Sequence, residues 1–274
     1  DAQGVPRAPA SIQQLRYGAD SVSLSVQLGE AANAHPSVTS VVIDMDGSRV
    51  GASCAPSGAV HECTVSGLQM GVKHSFTARA VNAVGESDST ANAAPGWAYR
   101  TPKKPSVTVT QTAAESATMA SFKVEAATSD PSTGSFRVTV AGQTKTIGLS
   151  AAAEFEHLQV GQVGWQVVPI SNVEVPAGDT ADGEVATGSF DLAGRPVVTL
   201  AASPREGATT VDIAVSVNAN GGSSVSHGYA TASGAFSQYP NCPPTQTNGS
   251  SGDYTATGSN RKVMRITACA QNEW

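Results

Sequence analysis

The stretch Gly67-Leu68-Gln69-Met70-Gly71-Val72-Lys73-His74-Ser75-Phe76-Thr77-Ala78-Arg79-Ala80-Val81-Asn82-Ala83-Val84-Gly85-Glu86-Ser87 decides how the chain is read. Phe76, Ala78 and Ala80 alternate with Thr77, Arg79 and Val81, which puts an apolar face on one side of a half-buried strand. Gly71 is a turn signal before it, and Asn82 with Gly85 closes it.

The pattern recurs. Moved by 90 positions, the stretch sets Leu158 on Leu68, Gly161 on Gly71, Val168 on Ala78, Ile170 on Ala80 and Asn172 on Asn82. Moved by 190, it sets Ile266 on Phe76, Ala268 on Ala78, Ala270 on Ala80 and Asn272 on Asn82. One structural unit therefore occurs three times. The expected domains are residues 1–101, 102–193 and 194–274, with Thr101–Pro105 as an exposed, semi-rigid linker and a second boundary at Ala193–Pro196. Pro102, Pro105 and Pro196 predict a rod with limited bending. The third copy stops two residues after its Asn, so its final strand is expected to be missing and its neighbour to carry an unpaired edge.

Composition agrees with an all-β chain. Of 274 residues only 14% are charged, and no stretch of 12 or more shows helical apolar spacing. Val22, Leu24, Val26 and Leu28 alternate in a second strand, and Ile12 with Leu15 marks the first. Asp46-Gly47 turns Val38–Asp44 into Arg49–Cys54, and Ala55-Pro56-Ser57-Gly58 turns that into Val60–Val65. Val107/Val109, Ala120/Phe122/Val124 and Phe136/Val138/Val140 build the second copy; Val198/Leu200 and Val211/Ile213/Val215/Val217 open the third. Tyr239–Asp253 reads as a polar loop and Val263–Asn272 as the last strand.

Leu68, the Gly71 turn, the strand, Asn82 and Gly85-x-Ser87 resemble the F-strand signature of fibronectin type III domains. The resemblance implies tandem immunoglobulin-like β-sandwiches that space, adhere or bind proteins. His74, Gly164 and Met264 stand where that family usually has Tyr, and no Trp occupies the second strand. The Ala/Ser/Thr/Gly-rich style resembles surface proteins of high-GC Gram-positive bacteria such as bifidobacteria. By analogy with cytokine receptors of this fold, the elbow near Trp97–Pro105 is where a protein ligand, such as a cytokine or matrix component, would sit. The ligand-binding residues themselves are unknown at this point.

Cys54, Cys63, Cys242 and Cys269 fall as two local pairs without zinc-site spacing. Two disulfides and an exported, extracellular protein are expected; the alternative is four small buried thiols. Loops of 10 and 28 residues would contribute about 2.5 and 3.5 kcal/mol. The chain begins with Asp1, and no leader or span of 18 apolar residues occurs, as in a processed fragment. A net charge of −6 argues against nucleic acid as a partner.

Chemistry is sparse. His35, His61, His74, His157 and His227 lack metal-ligand spacing, and His74 is expected to replace the corner Tyr. Asp44-Met45-Asp46-Gly47 resembles the start of a calcium loop without its distal Glu, so a hairpin turn explains it better. No nucleophile elbow, phosphate loop or dinucleotide fingerprint is present, and neither enzyme activity, metal nor cofactor is expected. Trp97, Trp165 and Trp274 are read as structural rather than as sugar platforms; Trp165 lies one residue off the apolar register of its copy. Asn248-Gly249-Ser250 matches a glycosylation acceptor but reads as a loop. A monomer is expected unless the open edge of the third copy pairs.

Overall fold

Alternating apolar residues can bury one face only by stacking sheets, and the chain does this repeatedly. The computed structural model describes residues 4–29, 36–204, 211–221, 227–233, 249–257 and 263–271, and none of them is helical. Two compact units form. The first comprises residues 1–103 with 130–134 and 169–184, and the second comprises 104–129, 135–168 and 185–274.

In the first unit, β1 (Ser11–Tyr17), β2 (Ser21–Gln27), β6 (Val60–Ser66) and β5 (Ala52–Ser57) form one antiparallel sheet in the order β1-β2-β6-β5. Facing it is β4 (Ser48–Val50), β3 (Ser40–Met45), β7 (His74–Val81) and β8 (Ala94–Gly96), in the order β4-β3-β7-β8. This is an immunoglobulin-like sandwich. Val22, Leu24 and Val26 meet Ile43, Phe76 and Ala78 in its core, all with no exposed surface. Arg49–Cys54 does not run as one strand: at Gly51 the chain leaves β3's sheet for β6's. Leu15 is exposed, because the β1 register shifts between Gln14 and Arg16 and turns it out of the core. The turn between β5 and β6 is Gly58-Ala59, and Ala55–Ser57 belong to β5.

In the second sandwich β9 (Ser106–Ala114), β10 (Met119–Ala127) and β13 (Ala152–Gln159) form a sheet in the order β13-β10-β9. β12 (Gln143–Gly148), β11 (Thr133–Val140), β14 (Gly161–Ser171) and β15 (Ala186–Leu192) form the other, in the order β12-β11-β14-β15. Phe122 stacks on Phe190 at 6.1 Å and tilts against Phe155 at 5.9 Å in a core that includes Phe136, Val138 and Leu158. Asp46-Gly47 and Ala141-Gly142 hold the same hairpin in the two copies, each pair at positive φ.

Trp165 does not face outward. It packs against the core on the side of Val163 and Val167, and the consecutive buried residues Val167, Val168 and Pro169 mark where the strand changes phase. Its ring lies over Gly188, its cross-strand partner, where a Cβ would come within 2.3 Å of Trp165 Cζ2.

The third copy has β16 (Val197–Pro204) paired with β17 (Val211–Asn218), and β18 (His227–Ser233), β20 (Val263–Gln271) and β19 (Gly249–Thr257) in the order β18-β20-β19. The unpaired edge expected beside the last strand is not there. β19 pairs with β20 along nine residue positions on one side, and β18 pairs on the other. Gly249–Asp253 is therefore strand rather than loop; the ladder with β20 outweighs the weak strand preference of Gly and Ser. The rest of the expected loop, Tyr239–Asn248, lies outside the described residues.

Candidate functional site

Residues 97–103 of the elbow lie inside the first unit. After β8, Tyr99 N–H donates to Gly18 O and Gly71 N–H donates to Ala98 O, which holds residues 97–99 extended. Alternation then sends Ala98 into the sandwich core and Trp97 with Tyr99 to the other side. There they meet Tyr17 at the end of β1, with ring centroids 5.6 Å from Trp97 and 6.5 Å from Tyr99, the latter edge-on. Lys73 Nζ stands 5.1 Å from the Trp97 ring centroid and 2.6 Å from Glu174 Oε2.

Both aromatic polar tips are satisfied by the 169–184 segment. Trp97 Nε1 donates to Glu174 O at 3.1 Å, and Tyr99 OH donates to Thr180 O at 2.6 Å. Burial first, and then the Asp179 carboxylate, push the Tyr17 and Tyr99 phenols above their ordinary range. Both phenols are therefore neutral near neutral pH, and that of Tyr99 is a hydrogen-bond donor. Trp97 is 8% exposed and Tyr99 3%.

Beside them Arg100 grips Asp130 through two parallel bonds, Nη1 to Oδ2 at 2.6 Å and Nη2 to Oδ1 at 2.9 Å. Lys103 N–H donates to Asp130 Oδ2, while Ser132 N–H and Oγ–H donate to Oδ1. Burial pushes this carboxyl up, but the guanidinium, the two N–H groups and the hydroxyl outweigh it, so it stays well below the usual carboxylate range. Pro102 and Pro105 are buried, and Pro102 O accepts Glu184 N–H. Within Thr101–Pro105, Thr101, Lys103 and Lys104 are exposed, as expected of a linker, while the two prolines are buried. Asp130 was not singled out from sequence; its signal was Asp130-Pro131-Ser132, a turn-starting Asp with Ser two positions on.

The histidines do not converge. His74 Nδ1 stands 2.7 Å from Asp46 Oδ2, tying β7 to the hairpin tip instead of making the backbone tether of a corner Tyr. Asp46 is held below the ordinary aspartate range, first by that bond and then by Ser75 N–H. His61 is buried, with Nδ1 unpartnered. His157 sits at φ 56° in an irregular part of β13, where Glu115 accepts from its backbone N–H and contacts its Nδ1, and also accepts from Ser121. Glu115 lies between the serine and the histidine, so the histidine does not face that hydroxyl as the base of a nucleophile–histidine–acid triad does. His35 lies outside the described residues, as does the side chain of His227. Among the described residues no three His, Cys, Asp or Glu side chains are grouped to hold a metal ion.

Cys54 and Cys63 form a disulfide directly across β5 and β6. Cys242 lies outside the described residues; Cys269 stands in β20, opposite Tyr229 and Ser251. Trp274 and Asn248 also lie outside them. Sequence reading missed a second polar lock. Gln111 Nε2 donates to Ala193 O at 2.7 Å and its Oε1 accepts Ala193 N–H, while Arg195 donates to Ala114 O and Asn220 N–H₂ to Arg195 O.

No family model and no curated protein sequence matches the chain. It is similar to a solved structure described as the FN1–FN3 domains of chicken CNTN1, with 14% identity, covering 98% of this chain and 89% of that one, at a TM-score of 0.31. A superposition that loose adds nothing to what the strand orders themselves say.

Proposed function

We propose that this chain is a non-enzymatic, extracellular protein-binding module, three sandwiches long and divided at residues 102 and 194, from the surface of a bacterial cell. The observation that carries the reading is the Arg100–Asp130 grip with the Tyr17–Trp97–Tyr99 cluster beside it. Together they hold the loops of the first unit as one preorganised surface, and preorganised loops lower the ordering cost of recognition. The partner fitting such a surface is a protein, such as a host matrix component, receptor or cytokine. The Cys54–Cys63 bond supports an oxidising compartment.

A second reading is favoured by a separate observation. Trp97 and Tyr99 are buried and hydrogen-bonded within the chain, so they offer no aromatic platform at the elbow. The sandwiches then act as a spacer that projects another domain. A pull-down of host extracellular proteins followed by titration calorimetry separates the two. A saturable partner at micromolar concentration supports the binding module, and none supports the spacer.

A further inference from the structure

Sheet edges invite pairing with other strands unless something blocks them, and the first two sandwiches block all but one. β1 carries Arg16 and a register shift, β5 carries Pro56, and β4 and β8 are three residues long, with Arg49 and Pro95 respectively. β12 carries Lys145, β15 Asp191, and β13 Glu154 and Glu156. β9 ends the order β13-β10-β9, and its nine residues Ser106–Ala114 contain neither charge nor proline. Its irregularity falls at Thr112, beyond the run 106–111, and among the described residues no strand is paired with its outer side.

We propose that this edge pairs with the β9 edge of a second copy of the chain. The sequence of the edge selects that occupant. Ser106-Val107-Thr108-Val109-Thr110 reads the same way in both directions, apart from Ser for Thr at one end. An antiparallel pair about a two-fold axis at Thr108 sets Thr108 against Thr108, Val107 against Val109, and Ser106 against Thr110. Each is a favourable cross-strand pair, and a self-complementary patch is what a two-fold dimer requires. The same register sets Lys104 against Thr112 rather than against another lysine, so no like charges meet. Ser106, Thr108 and Thr110 are exposed, and Val107 and Val109 are half-buried at the rim of the core, where a further strand would cover them.

The register makes the test specific. In the full chain, Thr108→Cys is expected to give a disulfide-linked dimer on a non-reducing gel, and Thr110→Cys alone is expected to give none. A mixture of Thr110→Cys and Ser106→Cys chains is expected to cross-link. In sedimentation equilibrium the unmodified chain is expected to rise with concentration toward twice its 27.7 kDa mass. Thr108→Lys, an exposed change that leaves the fold intact by circular dichroism, is expected to stay at the monomer mass. A chain that is monomeric up to millimolar concentration, a dimer that survives Thr108→Lys, or equal cross-linking of Thr108→Cys and Thr110→Cys would overturn the proposal.

Discussion

Arg100 and Asp130 meet in a two-bond, parallel ion pair whose carboxylate side chain is only 2% exposed. Removing the carboxylate leaves the guanidinium, Lys103 N–H and both Ser132 donors without their acceptor. Asp130→Ala is therefore expected to cost about 3 kcal/mol in urea unfolding. An unchanged midpoint would show the pair to be idle. The sign with pH follows from the lowered carboxyl. The stabilisation is present above the ordinary aspartate range and is lost as acid protonates the group below it, and Asp130→Ala should flatten that acid limb.

Asn82 and Asn172 occupy the same repeat position, yet substitution should separate them. Asn82 Nδ2 donates to Gly4 O and Pro36 O, and its Oδ1 accepts Val84 and Gly85 N–H, all in a buried setting. Asn172 is exposed, and its Nδ2 donates to Pro131 O. Asn82→Ala is expected to cost about 3 kcal/mol and Asn172→Ala about 1 kcal/mol or less. Equal losses by thermal melting would contradict this.

His61 is buried beside a disulfide strand and held neutral, since burial lowers its proton affinity. The unfolded chain takes up that proton near about pH 6.5, so stability is full above this value and falls as pH drops through it. Denaturation midpoints measured from neutral pH downward should show the slope, and His61→Leu should remove it.

Replacing Cys54 and Cys63 together by Ala is expected to cost about 2.5 kcal/mol, the loop-closure value for so short a ring. Calorimetric melting of the double variant checks it; a loss near zero would mean that the Gly58-Ala59 hairpin already holds the two strands in register.

Alternation was the most legible part of the sequence. Val22, Leu24 and Val26, or Phe76, Ala78 and Ala80, needed only period two to be placed in a core. Where the structure departs, a local irregularity or a long-range bond is responsible. Leu15 leaves the core through a register shift, and Trp165 changes phase before Val168. β19 takes the side of β20 expected to be bare because strand pairing is a choice among partners distant in sequence. The elbow was legible as Trp97, Tyr99 and two prolines, but not its acceptors: Glu174 and Thr180 contribute backbone carbonyls, which carry no residue signature.

The acceptors for Trp97, Tyr99 and Arg100 come from residues 130–134 and 169–184, so the repeat is not an interchangeable brick. Recombination that cut the gene at residue 102 would leave an indole N–H, a phenol and a guanidinium facing whatever sequence arrived next. The cassette that can be inherited intact extends past the first repeat into the loops of the second. Shuffling among such arrays should therefore conserve neighbours in pairs, because partnership rather than length sets where the chain can be divided.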